Sequence, residues 1–159
     1  MDPEPPSLPF LNTLDFTAII GFAIIIVLLF LAALISGAEV AFFSLSPQDL
    51  EKSALKSPRK IKIISNLLER PKKLLATLLV ANNVLNISIV ILFIKISEPF
   101  FLEIINPGFR LLLKIILITF VILFFGEVLP KIFASRNNIK FAKATVYLIA
   151  FLEKILSPI

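Results

Sequence analysis

Apolar residues fall into three long, nearly unbroken runs: Phe16 to Phe43, Leu74 to Ile94 and Ile115 to Ala134. A hydrocarbon core of about 30 Å is crossed by about 20 residues of helix at ~1.5 Å per residue. Each run reaches that length, so the pattern predicts three transmembrane helices over about 16–43, 74–95 and 111–134. Between the first two runs the pattern changes. Over 48–70, Leu50, Leu55, Ile61, Ile63, Ile64, Leu67 and Leu68 alternate with charged groups, which reads as amphipathic helices broken at Ser57-Pro58. The tail over 139–157 mixes Lys with Phe141, Val146, Leu148, Ile149 and Leu152 and reads as an amphipathic helix at the membrane surface. Pro3, Pro5, Pro6 and Pro9 leave residues 1–13 as an extended arm. Ser97-Glu98-Pro99 and Asn106-Pro107-Gly108 bound a short connection, with a small interfacial helix expected around Phe100 to Ile105.

Composition makes this an integral membrane protein of all-α class, with 58% hydrophobic residues and a mean hydropathy of +0.97. The first run is read as a retained helix, because acidic Asp2, Glu4 and Asp15 precede it where a signal peptide would be basic. Basic residues set the orientation. The arm has no Lys or Arg, whereas Lys52, Lys56, Arg59, Lys60, Lys62, Arg70, Lys72 and Lys73 follow the first helix, and Lys131, Arg136, Lys140, Lys143 and Lys154 follow the third. Lys and Arg collect on the cytoplasmic side, so the N-terminus is expected outside and the C-terminus inside. The formal charge of +5 then fits attraction to anionic inner-leaflet lipids, and no nucleic acid partner is expected. Cys, His and Trp are missing, which removes disulfides, thiolate metal sites and imidazole catalysis; the chain is not read as an enzyme. A hard-cation site built from oxygen remains open.

Polar side chains inside the runs supply that oxygen. An acid at bilayer depth costs on the order of 2.5 to 3.5 kcal/mol by insertion scales, so such groups mark pathways or bound ions. Asn82 and Asn86, four residues apart, share one helix face. At ~1.5 Å per residue they lie about 12 and 18 Å from the inner boundary, with Glu127 at about 12 Å and Ser36 roughly 16 Å above Pro47. Pro130 lacks an N–H and leaves the Gly126 carbonyl four residues earlier without its helical partner. Ser36, Asn82, Asn86, Gly126 and Glu127 thus offer an all-oxygen set with one negative charge, suited to Mg²⁺. Structural roles stand beside this. The Asn pair could join two helices, Ser36-Gly37-Ala38 could serve close packing, and Asn83 points to another face. Glu39 is expected to pair with a lysine such as Lys131, and Ser88 and Thr119 to bond back to their own helices. An intramembrane hydrolase built on Ser36 would lack a base, since Lys131 lies too near the interface.

At these residues the chain resembles the transmembrane domain of the CorC/CNNM (cyclin M) magnesium transporters. The matching elements are the segment from Ser36-Gly37-Ala38-Glu39 to Ser44-Leu45-Ser46, the stretch Ala81-Asn82 to Asn86, and Phe125-Gly126-Glu127-Val128-Leu129-Pro130-Lys131. They stand in the family's order and spacing, and the resemblance runs from about Leu14 onward. It implies a homodimer with three transmembrane helices per subunit, a cytoplasmic belt of juxtamembrane helices, and an inward-facing cavity holding a largely dehydrated Mg²⁺. Ser36, Asn82, Asn86 and Glu127 are the ligands it carries over. It also implies a cytoplasmic CBS-pair domain and a small CorC-type domain, neither of which falls within these residues.

The expected function is a secondary-active Mg²⁺ exporter of the bacterial inner membrane, with Na⁺ as the coupling ion that the resemblance suggests. Pro130 would supply a helix break and hinge. The rival is a membrane sensor or assembly module with a structural divalent cation, of the kind associated with gliding motility.

Overall fold

The computed structural model describes residues 16–156, and all of its regular elements are helical. The first run forms α1 (Phe16–Phe43). Two short helices follow, α2 (Pro47–Ala54) and α3 (Pro58–Leu68), each begun by a proline at a position where no N–H is needed. Ser46 caps α2: its hydroxyl accepts the Asp49 N–H and the Asp49 carboxylate accepts the Ser46 N–H, both at 3.1 Å. The second span is α4 (Pro71–Ile96). A 3₁₀ turn (Glu98–Phe101) leads to α5 (Pro107–Val121), a π-helical segment (Ile122–Val128) and α6 (Leu129–Arg136), which together form one helix of 30 residues. The chain closes with α7 (Asn138–Leu156). The arm expected over 1–13 lies outside the described residues.

Three helices are long and apolar enough to cross a membrane: α1, α4 and the composite third helix. Their outward faces carry Ile24, Val27, Phe30, Val84, Ile87, Ile91, Ile116 and Phe120, all exposed, the surface that lipid would cover. Small residues on α1, among them Ala32, Ser36, Gly37, Ala38 and Ala41, are buried. Small side chains let backbones approach where lipid removes the hydrophobic drive.

Two apolar clusters hold the bundle. One, toward the basic end, joins Ile35, Ala38, Phe42, Leu74 and Leu78 to Ile61 and Ile64 of α3 and to Val146 and Ile149 of α7. The other, toward the opposite end, joins Ile25, Ile89, Phe93, Ile118 and Ile122. Asn82 and Asn86 on α4 and Glu127 on the third helix fall between them in sequence position, and Ser36 lies at the edge of the first cluster, between Ile35 and Ala38.

The connection between α4 and α5 departs from expectation. The interfacial helix expected around Phe100 to Ile105 is a shorter 3₁₀ turn placed two residues earlier. Arg110 explains the arrest: its guanidinium donates twice to the Ile104 carbonyl, at 3.1 and 2.6 Å, and once to Glu98 Oε1 at 2.6 Å. Asn106 then starts α5, accepting the Gly108 N–H at 2.9 Å. Buried Lys114 adds a second cation to Glu98 and reaches the Ile94 carbonyl at 3.4 Å. Ser88 bonds back to Val84 as expected, at 2.7 Å. Exposed Thr119 makes no such bond.

Candidate metal centre

The π segment sets the geometry of the third helix. Leu129 N–H pairs with the Phe124 carbonyl, five residues back instead of four, so one extra residue is wound into the turn that carries Gly126 and Glu127. In this register the missing N–H of Pro130 falls opposite Phe125, and in α register opposite Gly126. The carbonyl break derived for Gly126 on α spacing is therefore shared between Phe125 and Gly126.

Glu127 and Asn86 meet directly. Asn86 Nδ2 donates to Glu127 Oε1 at 3.2 Å, tying α4 to the π segment. Asn82 stands one turn away on the same α4 face, while Asn83 is exposed. Gly126 is buried against α1: a methyl at its Cα would meet Leu29 Cδ1 at 3.4 Å and Ala32 Cβ at 4.0 Å. Ser36 follows Ala32 by four residues and shares its face. Three residues further along α1, Glu39 pairs with Lys131 of α6 at 3.6 Å, as the sequence led one to expect. Ser36 is thus bracketed by two contacts between α1 and the third helix, and Glu127 lies between the same two contacts on that helix.

The oxygens of this layer lack partners. Ser36 Oγ, Asn82 Oδ1 and Asn86 Oδ1 are buried without a hydrogen bond. Five other hydroxyls of the bundle do find a partner. Ser44, Thr77, Ser88, Ser135 and Thr145 all donate to a carbonyl three or four residues back. Ser36, 1% exposed, forgoes that bond. A buried unsatisfied polar group costs about 1–3 kcal/mol, and three such oxygens beside one carboxylate are a candidate donor set for a cation. Asn86 is already oriented for this, its N–H₂ turned to the carboxylate and its oxygen left free. Two other unpartnered oxygens, Ser97 Oγ and Glu153 Oε2, belong elsewhere: Ser97 adjoins Glu98 at one end, and Glu153 pairs with Lys73 at the other.

One carboxylate with neutral oxygens favours a hard cation. Among the described residues no three Asp, Glu, His or Cys side chains gather as a metal cluster, so a search for acidic clusters would miss this layer. An open cavity of about 320 Å³ at the basic end is lined by Glu39, Val40, Phe43 and Leu75.

Relatives bear on this arrangement. A UPF0053 protein of Haemophilus influenzae is 30% identical over 138 residues, which is 87% of this chain and 32% of that protein. The UPF0053 inner membrane protein YfjD of Escherichia coli is 29% identical over 129 residues, 81% of this chain and 29% of its own length. The chain thus spans about a third of the length of the curated relatives it matches. Residues 23–159 match the model of the cyclin M transmembrane N-terminal domain, covering α1 from residue 23 onward, the other two spans, the polar layer and α7; the chain belongs to the CNNM family.

Proposed function

We propose that this chain is the membrane domain of a secondary-active Mg²⁺ transporter that takes its cargo from the basic, cytoplasmic end. Glu127 supplies the charge at the site. Ser36, Asn82 and Asn86 supply neutral oxygens, and a carbonyl at the Pro130 break completes the set. The three buried oxygens without partners are the observation that carries this reading. With one negative charge the set holds a divalent ion loosely enough to release it, as a carrier requires. The cavity beside Glu39 is the approach from the cytoplasm. Export, exchange for Na⁺, an N-terminus outside and pairing of two subunits are parts of the same proposal, supported by the distribution of basic residues and by family membership.

Glu127→Gln tests it, because the amide keeps the shape and removes the charge. Mg²⁺ affinity by titration calorimetry is expected to fall on the order of a hundredfold, the factor corresponding to ~3 kcal/mol of ion–carboxylate attraction. Unchanged affinity would overturn the site. Flux into liposomes separates transport from a structural role: a protein that Mg²⁺ stabilises but does not cross would be the sensor or assembly module.

A further inference from the structure

One turn toward the basic end from the polar layer, the bundle carries a second charged contact. Glu39 lies three residues after Ser36, and Lys131 four after Glu127, so each projects from the same face as its neighbour in the layer. Their side chains meet at 3.6 Å and are partly exposed, 30% for Glu39 and 40% for Lys131. Glu39 also lines the open cavity, with Val40, Phe43 and Leu75, so the pair has one member on the cavity wall and stands one turn from Ser36 and Glu127 in sequence.

As a staple such a pair contributes little, since water screens it and holding two long side chains costs entropy. Its effect on a passing ion is larger. A divalent cation near Glu127 feels the Lys131 ammonium one turn away as a repulsion, which Glu39 cancels only while the pair is made. Lys131 also follows Pro130 and the π segment directly, so a bend there moves the ammonium relative to α1.

We propose that Glu39 and Lys131 form a charge-exchange gate on the route between the cavity and the metal centre, an inference that rests on the proposed Mg²⁺ site. The arriving cation takes the Glu39 carboxylate and frees Lys131. As the ion moves inward to Glu127, Lys131 returns to Glu39 and closes the route. On the way out, the ammonium approaching Glu127 helps to expel the ion. Lys131 acts as a tethered cation that competes with the cargo, and both residues are positioning residues.

The two halves of the gate make opposite predictions. Glu39→Gln leaves the ammonium unpaired beside Glu127, and Mg²⁺ affinity is expected to fall about tenfold by calorimetry. Lys131→Met removes the competing cation, and affinity is expected to rise about tenfold while liposome flux falls because release slows. Raised salt should shrink both shifts. Lys131→Arg keeps the charge and should behave as the parent, which guards against loss of fold. A mere staple would move both variants the same way, in melting temperature before affinity. Shifts of the same sign, or no shift, overturn the gate. Glu127→Gln run alongside separates the failures: if it abolishes binding while the other two leave it unchanged, the gate alone is wrong; if it binds normally, the site is.

Discussion

Asn82 and Asn83 are neighbours in sequence and opposites in the bundle. Asn82 presents a buried oxygen without a partner, while Asn83 is exposed. Asn82→Ala and Asn86→Ala are expected to weaken Mg²⁺ binding on the order of tenfold each, as loss of one neutral ligand would, and Asn83→Ala to leave it unchanged. Calorimetry on the three variants checks this. Ser36→Ala removes an unpaired hydroxyl, so the protein without Mg²⁺ should be no less stable than the parent. At this scale much was legible beforehand. The four-residue spacing of Asn82 and Asn86 placed both on one face, and matching depths brought Glu127 to them. What sequence could not give is which end of an amide is used. That Asn86 donates to Glu127 and keeps its oxygen free depends on the approach of α4 to the third helix, which no spacing within one helix encodes.

Among the helices, the three spans follow directly from apolar length, and α2 from Ser46, Pro47 and Asp49. The π segment does not. Gly126 and Pro130 signal a weakness in the third helix, but whether it opens as a kink or takes in an extra residue depends on how it packs against Leu29 and Ala32 of α1. The short 3₁₀ turn after α4 is bounded for a similar reason, since Arg110 captures the Ile104 carbonyl from six residues away. Pro130→Ala would restore a donor to this turn and pair a carbonyl that is now spared. Mg²⁺ affinity is expected to fall about tenfold, and unchanged affinity would mean that neither Phe125 nor Gly126 gives its carbonyl to the ion. Gly37 tests the packing of α7. A methyl there would overlap the ring of Phe141, so Gly37→Ala is expected to cost about 1–3 kcal/mol, as overpacking does, read as a lower melting temperature.

The described bundle is tied by ion pairs at one end, holds an open cavity at the basic end and is polar at its waist. At the end away from the basic segments, Glu98 joins Arg110 and Lys114. The hydrogen bond from Lys114, then that from Arg110, holds the Glu98 carboxyl below the usual carboxylate range. A depressed pKa means that this contribution is full above the ordinary glutamate value of about 4.3 and is lost as pH falls through the lower folded value. Melting temperature is therefore expected to hold from neutral pH to about 5 and to drop below about 4, with a smaller drop in Glu98→Gln. Part of the loss will remain in that variant, because the Ser46 cap lowers Asp49 in the same sense. At the basic end, Phe141 presses on Gly37, and Gly37 is bonded to Ser36. α7 runs 19 residues, about 28 Å at ~1.5 Å each, and is stiff over that length. Should a tilt of α7 shift the Phe141 ring, Gly37 and with it the proposed ligand Ser36 would be the first residues of α1 to feel it.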